Sequence, residues 1–426
     1  MTGARGVEIG NCRGGLAPRP SRGDAVKIVC VGGGPAGLYF SILMKRRDPR
    51  HDITILERNA AGSTYGWGVT VWEDLLETLR RNDPESALMI SDSASRWHTQ
   101  RVEVQGKRPV ETAGFGYGLN RQRLLNLLTE RARSLGVRVE FERPVTSLAD
   151  LPEADLVVAC DGLNSTLREQ DSERFATAID VGRNKHVWLG TDKIFDAFTF
   201  AFVPADAGWI WCYAYGSGAD SSTFIVECSP DVWTGLRLDV MSADDSLAVL
   251  EKLFEHQLDG HKLIAKARSG EGLPWLNLRF VTNGHWRAGQ TVLMGDSAHA
   301  IYFNIGSGTK LAMQDAIVLA DRIQRHADLD TALEAYEKQR KSELQLLQSE
   351  ARFSARWFES ISRYIDLEPD QFFALLRERR SPLLPHVPPL VYFRLHQVMQ
   401  TAVLRELRER LGPAARALYS RRQVQQ

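Results

Sequence analysis

The sequence predicts an α/β protein of two units: a parallel-stranded unit split between both ends of the folded chain, and a mostly antiparallel sheet inserted into it. Three observations carry this expectation. Before about residue 180, short β-branched runs alternate with helical patterns, and the same alternation resumes after residue 286. The stretch between them consists of aromatic and β-branched runs separated by Gly, Asp and Pro turns. A glycine-rich turn joins the first strand pattern to the first helix pattern.

The elements follow in order. Residues 1–24 are rich in Gly, Arg and Pro and lack the apolar stretch of a secretory signal, so a disordered extension is expected. The first part of the parallel unit spans 25–180. Val26–Val31 reads as a strand buried on both faces. Pro35–Arg47 reads as a helix with Pro in its first turn and a basic last turn. Ile53–Leu56 is the next strand, ending at Glu57; Arg121–Leu135 is a helix stopped by Gly136, and Val137–Phe141 a strand. Leu156–Ala159 is a buried strand feeding Cys160-Asp161-Gly162. The inserted sheet is expected over 181–285, with strands at His186–Leu189, Ala197–Val203, Trp209–Tyr215 and Thr223–Glu227. Thr291–Met294 returns to a buried strand in a second parallel segment, 286–350. Everything after Gly308 reads as helical, ending in a C-terminal region over 351–426 broken by Pro382, Pro385, Pro388 and Pro389.

Composition narrows the function. The chain has 426 residues, enough for two or three domains at roughly 150 residues each. Its 53 basic and 53 acidic residues cancel, which argues against bulk electrostatic binding of nucleic acid or an anionic membrane. Five scattered cysteines without a CxxC pair argue against a zinc ribbon or a disulfide framework, fit a reducing cytoplasm, and leave no metal site expected. No apolar run reaches the roughly 18 residues of a membrane span.

Gly32-Gly33-Gly34-Pro35-Ala36-Gly37 places glycines in the GxGxxG pattern between a strand and a helix. In that context the first Gly permits a tight turn, the second lets backbone approach a pyrophosphate, and the third packs helix against strand. The helix N-terminus offers free N–H groups to the phosphates. Glu57, at the end of the second strand, stands where a carboxylate accepts from ribose hydroxyls. The plain alternative is a tight turn beside a solvated glutamate. The motif alone leaves FAD and NAD both open.

Two further motifs narrow the choice. Asp161-Gly162 follows the strand Leu156–Ala159, and Gly295-Asp296 follows Thr291–Met294. GxGxxG, Asp-Gly and Gly-Asp in this order and spacing resemble the single-component FAD-dependent aromatic hydroxylases, the class A flavoprotein monooxygenases of the para-hydroxybenzoate hydroxylase type. The resemblance runs from Val26 to about Gln348. It implies a Rossmann-like FAD-binding domain, FAD as cofactor, NADH or NADPH and O2 as co-substrates, and transfer of oxygen to an electron-rich ring through a flavin C4a-hydroperoxide. Asp296 would bond ribityl or ribose hydroxyls, and Asp161 would serve both flavin and nicotinamide handling. Arg121, at an R-x-x-L helix start, would reach the pyrophosphate or adenosine. Gly306-Ser307-Gly308-Thr309 would open a helix whose N-terminus faces the pyrimidine end of the flavin. The implied cofactor-binding set is Gly32, Gly34, Pro35, Ala36, Gly37, Glu57, Arg58, Arg121, Asp161, Gly295, Asp296, Gly306, Ser307, Gly308 and Thr309.

Within that family, the run from Tyr302 to Lys310 replaces the usual prolines with Tyr302 and Phe303 and the usual Asn with Lys310. This is similar to the subgroup that hydroxylates coenzyme-A thioesters of ortho-substituted benzoates, comprising the salicylyl-CoA 5-hydroxylase and anthraniloyl-CoA monooxygenase types. Ile42–Asn59, Thr64–Val71, Arg183–Phe200 and Ser222–Ser229 share that likeness. The bifunctional anthraniloyl-CoA type carries a second, reductase domain for which this chain is too short, so hydroxylation without ring reduction is expected. A hydroxylase of a free indole or phenolic intermediate is the first alternative, and a non-catalytic flavin-binding shield or chaperone the second.

The substrate pocket is expected from aromatics. Trp211, Tyr213 and Tyr215 alternate on one strand face, with Phe200 on a neighbour, and Tyr302 and Phe303 precede the flavin-facing helix. An ordinary sheet core explains the stripe equally well. His299 suggests a general base, but in this family the His of GDxAH is usually structural, and no catalytic acid or base is assigned. Trp209-Ile210-Trp211 resembles a halogenase motif, yet Cys212-Tyr213-Ala214 break it. The arginines from Arg405 to Arg422, beside regularly spaced leucines, suggest an amphipathic helix touching coenzyme-A phosphates or a second subunit. A monomer or homodimer is expected.

Overall fold

Two sheets organise the molecule, and their junction sets the position of everything functional. The structure is a computed structural model describing residues 24–64, 66–266 and 271–399. The first sheet has six strands in the order Arg287–Ala288, Thr291–Leu293, Leu156–Ala159, Lys27–Val31, Asp52–Leu56 and Arg138–Glu140. All neighbours are parallel except the edge pair Arg287–Ala288 and Thr291–Leu293. Val29 sits opposite Val157 on one side and Thr54 on the other. Both flanks are covered, which explains continuous apolar runs such as Ile28–Val31 rather than alternation.

The helix Pro35–Arg47 packs against Arg121–Ser134 and Gly308–Arg325. Pro35 to Met44 are all buried, so this helix is apolar around its whole circumference and only its basic end reaches the surface. The strands of this unit therefore come from both segments, as expected for a discontinuous α/β domain.

The second sheet has nine strands. Its path runs Leu263–Ile264, Thr177–Thr191, Ser222–Cys228, Gly208–Gly216, Phe198–Ala205, Ser95–Val104, Val110–Asn120 and Gly68–Val71, with Leu276–Asn283 also pairing Thr177–Thr191. Pairing is antiparallel except between Ser95–Val104 and Phe198–Ala205. Here the structure corrects the expected division. The sheet is not one insert over 181–285: three of its strands lie between residues 68 and 120, and residue 181 falls inside the strand Thr177–Thr191. The reason is physical. Ser95–Val104 is half-buried and mostly polar, so its sequence carries no apolar run, and only pairing with Phe198–Ala205 makes it a central strand.

After Gly308 the described chain is mainly helical, through Gly308–Arg325, the 31-residue Leu329–Glu359, Pro369–Arg377 and Pro389–Met399. The long helix crosses from the first sheet to the second. Its last turns bring Trp357 and Phe358 onto Phe202, Trp211 and Tyr213, forming one core with Phe372 and Leu376. The C-terminal region thus closes one face of the second sheet. The expected extension before residue 24 and the arginine-rich stretch from Arg405 to Arg422 lie outside the described residues. Among the described residues, no helix is long and apolar enough to cross a membrane.

Candidate active site

The glycine-rich turn is built by close approach. Gly32 has φ +112°, and a Cβ there would lie 2.4 Å from the Cys160 carbonyl oxygen. At Gly37 a Cβ would lie 2.5 Å from the Gly32 carbonyl oxygen and 2.7 Å from Cys160 Sγ. These two glycines serve packing between the first helix and two adjacent strands. Gly34 differs: nothing lies within 4 Å of a Cβ placed there, because it faces open cavity. No side chain caps the helix at Gly34, so its first N–H groups are left for a ligand. Glu57 holds the turn from the other side, accepting from the Gly33 N–H at 2.7 Å and, through its second oxygen, from the Asn59 N–H at 2.9 Å. The neighbouring Arg58 is exposed and does not border the cavity.

Two strand ends face this turn. Asp161 accepts from the Thr166 N–H at 2.8 Å, while its other oxygen is buried without a partner. Burial raises its carboxyl above the usual range, against the hydrogen bonds that favour the carboxylate. Gly295, at φ +69°, donates its N–H to Asp315 at 2.9 Å and turns Asp296 toward the cavity. Asp296 is exposed and borders that cavity, and desolvation by the surrounding protein raises its carboxyl too. Arg121 lines the same space, its Nε donating to Thr64 at 3.2 Å.

The third loop is pinned by Trp72 and Thr70. Gly306 is left-handed, with φ +63°, and its carbonyl accepts from Trp72 Nε1 at 2.9 Å and from the Thr70 hydroxyl at 3.1 Å. That fixes Ser307, Gly308 and Thr309 in the cavity wall, at the uncapped N-terminus of Gly308–Arg325. A Cβ on Gly308, as on Gly34, would meet nothing.

A cavity of about 480 Å³ joins these three loops to the second sheet. Pro35, Ala36 and Met294 border one end; Phe200, Tyr213, Tyr215 and Phe303 border the other. Tyr213 meets Phe303 edge-on at 5.7 Å, and Tyr215 stacks on Phe198 at 5.3 Å while donating its hydroxyl to the Gly68 carbonyl at 3.0 Å. Two expected pocket residues are elsewhere. Trp211 shares the strand face of Tyr213 but lies beyond the cavity, stacked on Phe358 at 5.7 Å, because the end of the long helix covers that part of the sheet. Tyr302 does not border the cavity: its ring lies 5.9 Å from that of Phe280, in a cluster with Leu278 and Ala355 against which Phe303 also packs.

His299 is buried behind the cavity wall and does not line it. Its Nε2 lies 2.6 Å from Asp315, whose other oxygen accepts from Arg340 Nε at 2.7 Å, and its ring stacks on Trp286 at 5.1 Å. Burial opposes ionisation of Asp315, but the charges and hydrogen bonds of His299 and Arg340 outweigh it and hold the carboxyl below its usual range. Since Asp315 also takes the Gly295 N–H, this network shapes the Gly-Asp turn that presents Asp296.

Sequence reasoning missed Trp97, Trp188 and three arginines, Arg377, Arg379 and Arg380, all in the cavity wall. It also missed Glu227, fully buried beneath the aromatic end. Glu227 accepts from the Tyr213 hydroxyl at 2.7 Å and from Asn184 Nδ2 at 2.8 Å, and desolvation pushes its carboxyl up to about 7 despite those bonds. A lone acid inside the apolar run Ser222–Cys228 is the signal that marks it.

Glycine cradles and uncapped helix ends at one end of a cavity, with an aromatic chamber at the other, define a flavin-dependent enzyme that acts on aromatic rings. The family model described as FAD binding domain matches residues 152–350. Salicyloyl-CoA 5-hydroxylase of a Streptomyces species is 36% identical over 350 residues, covering 80% of this chain and 66% of that protein, so the chain spans just under two thirds of its length. Protodeoxyviolaceinate monooxygenase of Chromobacterium violaceum is 31% identical over 368 residues, covering 84% of this chain and 96% of that protein. Among solved structures, a tetrameric form of 2-methyl-3-hydroxypyridine-5-carboxylic acid oxygenase superposes with a TM-score of 0.61 at 18% identity, covering 86% of this chain and 95% of that one, and shares the fold. The chain belongs to the FAD-dependent aromatic monooxygenases, a class that uses NAD(P)H and O2.

Proposed function

We propose that this protein hydroxylates an activated aromatic ring held at the aromatic end of the cavity, and that its substrate is an ortho-substituted benzoyl-CoA thioester such as salicylyl-CoA, attacked at position 5. The observation that carries the reading is the single cavity that joins the glycine-built loops to Phe200, Tyr213, Tyr215 and Phe303. The likeness to salicyloyl-CoA 5-hydroxylase supports the thioester.

The residues present fit FAD. Gly34 and Gly308 leave open the space a Cβ would fill, and Asp296 is an ionisable group on the cavity wall. The first N–H groups of Pro35–Arg47, with Arg121, would hold the pyrophosphate; Glu57 would take the ribose hydroxyls and Asp296 those of the ribityl chain. The N-terminus of Gly308–Arg325 would stabilise negative charge at the pyrimidine end. When bound, FAD supplies the electrons from NAD(P)H that activate O2 for transfer to a ring carbon.

The chain's own contribution is positioning and dryness. Phe200, Tyr213, Tyr215 and Phe303 exclude water from a reaction that water would divert to peroxide. A hydroxyl or amino donor on the substrate must offset the electron-withdrawing thioester, which directs attack para to that donor. Tyr213 cannot readily lose its proton, because burial and the neighbouring Glu227 raise its hydroxyl well above the usual range, so it serves as wall and hydrogen-bond donor rather than base.

The test is NADH and NADPH oxidation with product analysis across aryl-CoA thioesters and their free acids. Hydroxylated thioester is the expected product; turnover of free acids alone defeats the thioester assignment. A second reading, a hydroxylase of a free indole or phenolic intermediate, draws on the likeness to protodeoxyviolaceinate monooxygenase over nearly that protein's whole length.

A further inference from the structure

The charge lining the cavity is lopsided. Four arginines and one aspartate border it: Arg121 and Asp296 near the glycine-built loops, and Arg377, Arg379 and Arg380 at the aromatic end. Arg379 is the innermost of the three. It donates to the Ser354 hydroxyl at 3.1 Å and to the carbonyls of Leu376 at 2.8 Å and Asn304 at 3.1 Å, and its guanidinium lies 5.8 Å from the Phe200 ring centre. Among the described residues no carboxylate pairs with Arg379 or Arg377, and Arg380 has only Glu350, at 3.7 Å. Burial, with the charge of Arg380 beside it, lowers the guanidinium of Arg379 to about 9. Arg379 and Arg380 are partly buried while Arg377 is exposed at the rim; cations gathered in such a partly desolvated wall repel one another and are costly unless an anion joins them. Besides Leu376 on their own segment, the carbonyls that Arg379 and Arg380 touch belong to Asn304 and Ile305, on the turn that holds Phe303, so they flank the ring-binding chamber and not the Gly34 end where the cofactor pyrophosphate would lie.

We propose that Arg377, Arg379 and Arg380 form an anion subsite for the non-aromatic part of the substrate, binding carboxylate or phosphate oxygens while the ring lies against Phe200, Tyr213 and Phe303. This rests on the hydroxylase reading above and deepens it: the substrate carries an oxyanion, borne either by a free aryl carboxylate or by the phosphates of a coenzyme thioester. Guanidinium groups suit both, through paired N–H donors. Arg379 also holds the Asn304 turn, which ties occupancy of the subsite to the placement of Phe303.

The experiment uses the full chain loaded with FAD and reads ligand binding through the flavin absorption spectrum. Three probes share one ring: salicyloyl-CoA, salicylate, and the salicyloyl thioester of N-acetylcysteamine, which lacks both phosphate and carboxylate. Two variants accompany the wild type: the R377Q/R380Q double substitution, and Arg379→Lys, which keeps the charge but loses the fork. In the double variant, the dissociation constant of an anionic probe is expected to rise at least about tenfold while that of the uncharged thioester changes less than about twofold. Added salt should weaken the anionic probe selectively. Selective loss of salicyloyl-CoA assigns the subsite to phosphate; selective loss of salicylate assigns it to carboxylate. Equal weakening of all three probes, no weakening of any, or a shifted flavin reduction potential with unchanged probe affinity overturns the proposal. Product analysis on the same samples separates the two claims. Hydroxylation with arginine-independent binding sinks the subsite alone, whereas arginine-dependent binding without any hydroxylated product sinks the hydroxylase reading and leaves the subsite standing.

Discussion

The two ends of the cavity are made of different material. At one end the wall is backbone: Gly34, Gly295, Gly306 and Gly308, with the starts of two helices. At the other it is side chain: Phe200, Tyr213, Tyr215, Phe303 and three arginines, drawn from two sheet strands, one turn and the segment around Pro369–Arg377. A backbone-built site presents N–H dipoles that suit any dinucleotide of the right shape. A side-chain-built site is particular, because changing one aromatic or one charge changes the ligand. The contrast explains how one scaffold keeps its cofactor while varying its substrate.

Four sets of substitutions would break or sharpen that contrast. Asp315→Ala is expected to act on neither ligand first but on the fold, since it leaves His299 buried without its carboxylate and Arg340 with Glu343 alone; removing one partner of such a pair costs about 3–5 kcal/mol. Thermal or denaturant unfolding measures this. A His299→Gln protein that keeps its flavin and its turnover would complete the case that His299 is structural.

Glu227→Gln follows. Glu227 is raised from an ordinary 4.5 to about 7, so the folded state holds its proton more tightly than the unfolded state does. The wild type is therefore expected to lose stability as pH rises from about 4.5 through about 7, by a total on the order of 3 kcal/mol. The variant, which carries no ionisable group there, should lose this pH dependence. Parallel denaturant curves at pH 5 and pH 8 decide it; equal slopes for both proteins would show that Glu227 is not the source.

Gly34→Ala separates cofactor glycine from packing glycine. With nothing within 4 Å of the new Cβ, the FAD-free protein should unfold like the wild type, yet FAD affinity should fall at least about 100-fold as the methyl occupies the pyrophosphate approach. Gly37→Ala should instead destabilise the apoprotein, its Cβ lying 2.5 Å from the Gly32 carbonyl oxygen. Indistinguishable behaviour of the two variants would erase the distinction.

Phe303→Ala is the mildest. FAD content should be unchanged, while the fraction of NAD(P)H oxidised that yields hydroxylated product should drop by roughly tenfold, with peroxide taking its place, as water enters the chamber. Trp211→Phe, beyond the cavity wall, should leave that ratio alone. Peroxide and product assays on one sample report both.

What the sequence displayed follows the same divide. Gly32 to Gly37, Glu57, Asp161-Gly162 and Gly295-Asp296 were readable because each is a local device: a turn, a cap or a strand end whose conformation its own few residues impose. Phe303 was readable by its adjacency to such a device. Trp211 was misplaced because period-two alternation gives the face of a strand but not which stretch of that face a distant helix will cover, and Tyr302 because adjacency to the helix start does not tell which neighbours its ring will meet. The strands between residues 68 and 120 escaped notice for a related reason: their burial comes from sheet neighbours, so their own pattern is weak. Glu227 carries no local signature beyond one charge in an apolar run, and Arg379 sits in the charged stretch Arg377–Arg380 that reads as a solvated helix end; the meaning of each depends on the absence or presence of a partner from elsewhere in the chain.

By itself, then, the order of residues determined the α/β class and the three glycine and aspartate turns, because each depends on dihedral freedom and hydrogen bonds spanning only a few positions; the flavin followed from the resemblance those turns bear to a known family. Only the tertiary structure decided which aromatic side chains meet the cavity, that three C-terminal arginines converge on it, and that a carboxyl lies dry beneath it. Those outcomes depend on desolvation and on contacts between residues far apart in sequence, which no local pattern encodes.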